Sequence, residues 1–254
     1  MKFILILMCL HFFSVPLLFA QNAAPAWISD DLGEYIITPM KNAPYPHPSR
    51  ANGFQGRNVF FPADKHYMDN SVGILIPKGY TPADTVDFIV LFHGHNNNVA
   101  KEIPQLQLRE QLAESRKNAI MILPQGPYNA ADSSCGRIED PDGLKNLVAE
   151  VAAFLREAGK TTSTKTGKVV ITGHSGGYKP IAFCLDVDGL EEHITEVYLM
   201  DAAYGMLESY SKWAARGKGR LVSICTDHLL EENQAIMKNL QQAGIGPLDI
   251  MRDD

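Results

Sequence analysis

Four apolar runs constrain this chain most: DFIVLFH at 87–93, NAIMILPQG at 118–126, KVVITG at 168–173 and EVYLMD at 196–201. A strand with one wet face alternates apolar and polar residues. A strand apolar on both sides must be covered on both sides. Helical patterns separate these runs, so the sequence predicts an α/β domain, a mostly parallel central sheet with helices on both faces. SVGILIP at 71–77, stopped by Pro77 and Gly79, and RLVSICTD at 220–227 read as further strands. KEIPQLQLREQLAESRK reads as one helix with Pro104 in its first turn. The segment 142–158 reads as a helix too, because Leu144, Leu147, Val148, Val151, Ala152 and Leu155 recur at spacings of three and four. Further helices are expected over 176–185 and 229–243, and IGPLDIMRDD reads as a last strand just beginning, cut short at Asp254.

Residues 1–20, MKFILILMCLHFFSVPLLFA, have the composition of a secretory signal peptide; an uncleaved membrane anchor is the alternative. Residues 21–69 are rich in Pro, Asn, Gly and Ser and form a loop-rich extension, with an edge strand at 34–38 and a second short one near 58–61. Residues 70–254 form the single α/β domain, and no further stretch is apolar enough to span a membrane. The chain carries 23 Lys and Arg against 29 Asp and Glu, a formal charge of −6. With no basic block, nucleic acid is not an expected partner. Cys135, Cys184 and Cys225 follow the leader. Export permits one disulfide among them, but Cys184 and Cys225 lie in apolar runs and read as buried hydrophobes, whereas Cys135, in DSSCGR, is expected near solvent.

In a parallel sheet, functional groups gather beyond the carboxyl ends of the strands. There the chain places HGHNNN, PQG, GHSGG, Asp201, and the pair Asp227 and His228. Gly173-His174-Ser175-Gly176-Gly177 fits G-x-S-x-G, between VVIT and a helix. That context is the nucleophile elbow, a turn too tight for side chains at the flanking positions. Ser175 is the expected nucleophile. The oxyanion donors would be the Gly176 N–H and the His95 N–H, with Asn96 second in line for the latter. His93 and His95 have no third partner at a metal-binding spacing, so no metal is expected; they read as braces for their loop. No G-x-G-x-x-G follows an early strand, and no cofactor is expected.

The serine needs a base and an acid that orients it, in the chain order Ser, acid, His. Asp227 is the first choice of acid and Asp201 the second, since neighbouring strands are only about 4.8 Å apart. Of the eight histidines, His228 alone follows both acids on the correct rim. It adjoins Asp227 and would pair with Asp201. The other expectation is a base beyond residue 254. Tyr128, Tyr178 and Tyr204, each just past a strand end, and Asn96 are candidate substrate contacts. Glu139, Asp140 and Asp142 are expected to meet free N–H groups at a helix start.

The run of landmarks LFHGHNNNV, LPQGPYNAADSS, EDPDGLKNLV, ITGHSGGYKPIAFCLD, VYLMDAAYG and TDHLL resembles the α/β-hydrolase superfamily. Within it, the chain looks like a group of exported bacterial proteins of that fold. The resemblance covers roughly residues 70–245 and implies an α/β-hydrolase-like sheet, Ser175 as nucleophile and a histidine in a final loop. The expected function is a serine hydrolase, periplasmic or secreted, that cleaves an ester or an amide of a small-molecule or polymer-attached substrate. A non-catalytic binding protein on the same fold is the alternative.

Overall fold

The computed structural model describes residues 25–187 and 189–246. The expected leader and the expected last strand from Pro247 lie outside the described residues. In chain order the elements are β1 (Ile28–Asp30), β2 (Gly33–Pro39), β3 (Phe54–Gln55), β4 (Phe60–Phe61), α1 (Ala63–His66), β5 (Ser71–Pro77), β6 (Val86–Phe92), α2 (Val99–Gln105), α3 (Leu108–Ser115) and β7 (Ile120–Pro124). They continue with α4 (Gly143–Glu157), β8 (Thr166–His174), α5 (Tyr178–Asp186), β9 (Ile194–Met200), α6 (Leu207–Ala215), β10 (Arg220–Ile224) and α7 (Leu230–Gln242).

Eight strands form one sheet in the order β1-β2-β5-β7-β6-β8-β9-β10. β1, β2 and β5 pair antiparallel, as do β5 and β7. β7, β6, β8, β9 and β10 run parallel. The result is an α/β-hydrolase-like architecture in which the loop-rich N-terminal part supplies two edge strands. Alternate residues of the central strands feed two cores. Val90, Phe92, Ile120 and Ile122 join Leu144, Leu147 and Val151 of α4 and Ile181 and Leu185 of α5. Leu91, Met121 and Leu123 join Val99 and Ile103 of α2 and Leu108 and Leu112 of α3. Burial on both faces is why β6 and β7 lack alternation. β8 and β9, expected to be covered on both sides, instead alternate buried and half-exposed residues, because α2 and α3 pack over β5, β6 and β7 rather than over them.

One expected helix needs correction, and one observed helix had no expectation. The segment 101–117 is not one helix. Pro104 has no N–H to continue the ladder, α2 ends at Gln105, and Gln107 takes a left-handed φ of 49° before α3 begins. α6 was not anticipated. Its Ser209 and Ser211 are buried, bonded to Asp186 Oδ2 at 2.7 Å and to the Leu207 carbonyl at 2.9 Å, and they interrupt the apolar stripe.

Candidate active site

β8 ends at His174, and Ser175 follows with φ of 50°, opening a single tight turn, 175–177, that leads into α5. A non-glycine residue with positive φ is held there by its surroundings. Two glycines do the holding. A Cβ on Gly177 would stand 2.6 Å from the Phe92 carbonyl oxygen, and one on Gly94 would stand 3.2 Å from Ser175 Cβ. The end of β6 therefore lies directly against the elbow.

The loop after β6 is braced by His93. Its ring is buried, and Nε2 accepts from the Gly126 N–H and from Gln125 Nε2, each at 3.0 Å. Nδ1 thus carries the hydrogen and donates to the Gly94 carbonyl at 2.8 Å. Burial holds this imidazole below the usual histidine pKa, the hydrogen bond to Gly94 only partly opposing it. Fixing the Gly94 carbonyl points the His95 N–H of the same planar peptide the opposite way. Nothing among the described residues accepts from that N–H. The Asn96 N–H is different: it donates to the Ala130 carbonyl at 2.9 Å. The His95 ring packs over Gly176, where a Cβ would meet its Cδ2 at 2.3 Å, and its Nε2 lies 2.7 Å from Ser133 Oγ.

Across the elbow, Asp201 directly follows β9 with φ of 50°, its N–H on the Ile224 carbonyl at 2.7 Å. Asp201 Oδ1 accepts from the Thr226 N–H at 2.9 Å and from the Thr226 hydroxyl at 2.8 Å. Thr226 has spent its one hydrogen on Asp201, so its oxygen accepts from His228 Nδ1–H at 2.6 Å. This order leaves His228 Nε2 as the basic nitrogen. It accepts from the Tyr204 hydroxyl at 2.8 Å and lies 3.6 Å from Asp201 Oδ2. Burial would raise the Asp201 pKa. The two Thr226 bonds, with His228 and His174 nearby, outweigh it and hold the carboxyl below the usual range.

The structure thus brings Asp201 and His228 together and leaves Asp227 exposed at the start of a short turn, 227–229. Among the described residues no imidazole is hydrogen-bonded to the Ser175 hydroxyl, and both His228 nitrogens are engaged elsewhere. Tyr204 bridges the two sides, with ring centroids 5.7 Å from His228 and 6.2 Å from Tyr178 of the elbow helix. Tyr128 is exposed, its N–H on the His66 carbonyl. His193 precedes β9 at the opposite rim, bonded to the Gly167 carbonyl.

Behind the loop after β6 stands a wall built on the 132–143 loop, which the sequence suggested as part of a cleft; its ties to Arg50 and Tyr67 were not foreseen. Buried Asp132 accepts from Arg50 Nε at 2.6 Å and Nη2 at 3.0 Å, from the Tyr67 hydroxyl at 3.0 Å and from the Ser134 N–H at 2.9 Å. Glu139 does not cap α4. It accepts from the Ser134 hydroxyl and the Cys135 N–H, each at 2.8 Å. Asp142, at the helix start, makes no side-chain cap and pairs with Lys145. Cys135 is 3% exposed, contrary to expectation, because this wall covers it; Cys225 is the partly open one, and all three described cysteines are free thiols. No group of three metal-ligating side chains occurs among the described residues, and no helix there is long and apolar enough to cross a membrane.

No protein-family model matches the sequence, and no curated protein matches it. Among solved structures, the chain is similar to a ferulic acid esterase at 15% identity, over 69% of this chain and 81% of that one, with a TM-score of 0.49. It is similar to the feruloyl esterase module from Clostridium thermocellum complexed with sinapinate, at 13% identity over 80% and 75% with a TM-score of 0.47. An acylaminoacyl peptidase from Pyrococcus horikoshii superposes at 12% identity over 76% and 34%, TM-score 0.43. Likenesses this distant assign no activity.

Proposed function

We propose that the chain is a serine hydrolase of the α/β-hydrolase superfamily that cleaves a carboxylic ester, with amides as a lesser substrate class. The observation that carries this reading is Ser175, held at φ of 50° between a parallel strand and a helix, against the Gly94 loop. Ser175 Oγ attacks the carbonyl carbon, and the oxyanion is held by the Gly176 and His95 N–H groups. The serine proton passes to His228 Nε2, with Tyr204 yielding that nitrogen to the serine. Asp201 orients the ring through Thr226 and stabilises the imidazolium. The imidazolium then protonates the leaving alcohol, and water, activated by the same nitrogen, frees the acid. Asn96, Tyr128, Tyr178 and Tyr204 would contact substrate from the rim. Residues 1–20 would direct export.

The geometry of His228 favours a second reading. With both ring nitrogens bound away from Ser175, the chain would be a binding protein on a hydrolase fold. A fluorophosphonate probe separates the two. Labelling of the full-length chain that is lost in S175A supports the hydrolase; no labelling of folded protein rejects it.

A further inference from the structure

The space beside the oxyanion donors carries information about the acyl group. A cavity of ≈ 20 Å³ is bordered by Phe92, His93, Ser133, Cys135, Gly176 and Pro180. Gly176 is itself a proposed oxyanion donor. His93 fixes the peptide of the other, and Ser133 is hydrogen-bonded to the ring of His95. Ser175 and His95 do not themselves border the cavity, but Gly176 does, and a carbonyl held by its N–H would direct its substituent toward this space. About one water needs 10–15 Å³ of such volume, so the space is sized for a methyl or ethyl group.

The walls do not yield easily. Cys135 is fixed through its N–H on Glu139, at 2.8 Å, and Glu139 is paired with Lys179 of α5 at 3.4 Å. The adjoining Asp132 is clamped by Arg50 and Tyr67. Phe92 is fixed by its place in the sheet between β7 and β8.

We infer that the enzyme is specific for short acyl groups, acetyl and propionyl, on alcohols whose bulk lies outside this cavity. The inference rests on the hydrolase reading, and the test keeps the two apart. Full-length protein is titrated with a small fluorophosphonate, and kcat/KM is then measured on p-nitrophenyl acetate, propionate, butyrate and octanoate, with the S175A rate subtracted. Acetate and propionate should exceed butyrate by about tenfold or more, the scale at which a pocket rejects an added methylene. Cys135→Ala, which removes one wall atom, should narrow the acetate-to-butyrate ratio at least severalfold. Should that variant fail to fold, the wild-type series still decides. Titratable Ser175 with butyrate or octanoate turned over as well as acetate overturns the short-acyl inference alone. Absence of titration overturns the hydrolase reading and this inference with it.

Discussion

Asp201 and Thr226 are joined twice: one carboxylate oxygen takes both the backbone N–H and the hydroxyl of the threonine, at 2.9 and 2.8 Å. The double bond fixes which way the threonine oxygen faces, and through it which nitrogen of His228 is basic. Thr226→Val keeps the backbone bond and removes the hydroxyl relay. Ester turnover should fall by about tenfold or more, the range of a misplaced general base, while Thr226→Ser restores most of it. The check is kcat across pH for all three proteins. An unchanged T226V profile would mean that His228 is not the base.

Ser175 carries backbone strain that glycine would relieve. A left-handed non-glycine residue costs about 1–2 kcal/mol. Ser175→Gly should therefore be more stable than Ser175→Ala by about 1 kcal/mol in urea unfolding, although both are inactive. Equal stabilities would argue against the elbow conformation.

Gly177 has no room for a methyl group, since its Cβ would stand 2.6 Å from the Phe92 carbonyl oxygen. Gly177→Ala must push the end of β6 away from the elbow. A loss of about 1–3 kcal/mol is expected, together with loss of fluorophosphonate labelling. Normal labelling and stability in G177A would contradict the packing described.

Glu102 is 1% exposed, bonded to Asn97 Nδ2 through Oε2, and Oε1 has no partner. Burial raises its pKa, and the Asn97 bond only partly offsets this. A carboxyl whose folded pKa is raised binds more protons in the folded than in the unfolded state. It therefore costs stability as pH rises from 4.5, the ordinary glutamate value, through the folded value, and the cost persists above that. Glu102→Gln should gain on the wild type over that window and be the more stable protein at neutral pH. Melting temperatures at acid and neutral pH test the sign.

Asp132 has the opposite linkage. Burial alone would raise its pKa, but Arg50, the Ser134 N–H and Tyr67 outweigh it and hold it below 3.8. Its stabilising contribution is present above pH 3.8 and is lost as pH falls through the folded value. Asp132→Asn should cost about 3 kcal/mol or more at neutral pH, by leaving Arg50 without its partner. The deficit should shrink in acid, as followed by denaturant titration.

β6 and β7 were legible because a strand covered on both faces has few polar positions to disguise it. The elbow was legible because G-x-S-x-G, strand and helix coincide. Thr226 escaped notice because its bond to Asp201 joins positions 25 apart across two neighbouring strands, which no local pattern records. The first choice of acid, Asp227, rested on its place after a strand. The turn over 227–229 carries that side chain into solvent, and Thr226, one residue earlier, faces Asp201 instead. Cys135 was misplaced because polar neighbours suggest solvent, yet Ser134 and Glu139 spend their polarity on each other.

Arg50 and Asp132 lie 82 positions apart, and the wall they make belongs to no part of the proposed chemistry. A segment near the start of the domain thus holds the shape of a much later loop, and a change at Arg50 or Tyr67 would be felt at Ser133 and Cys135, beside Gly176, without touching the serine, aspartate or histidine.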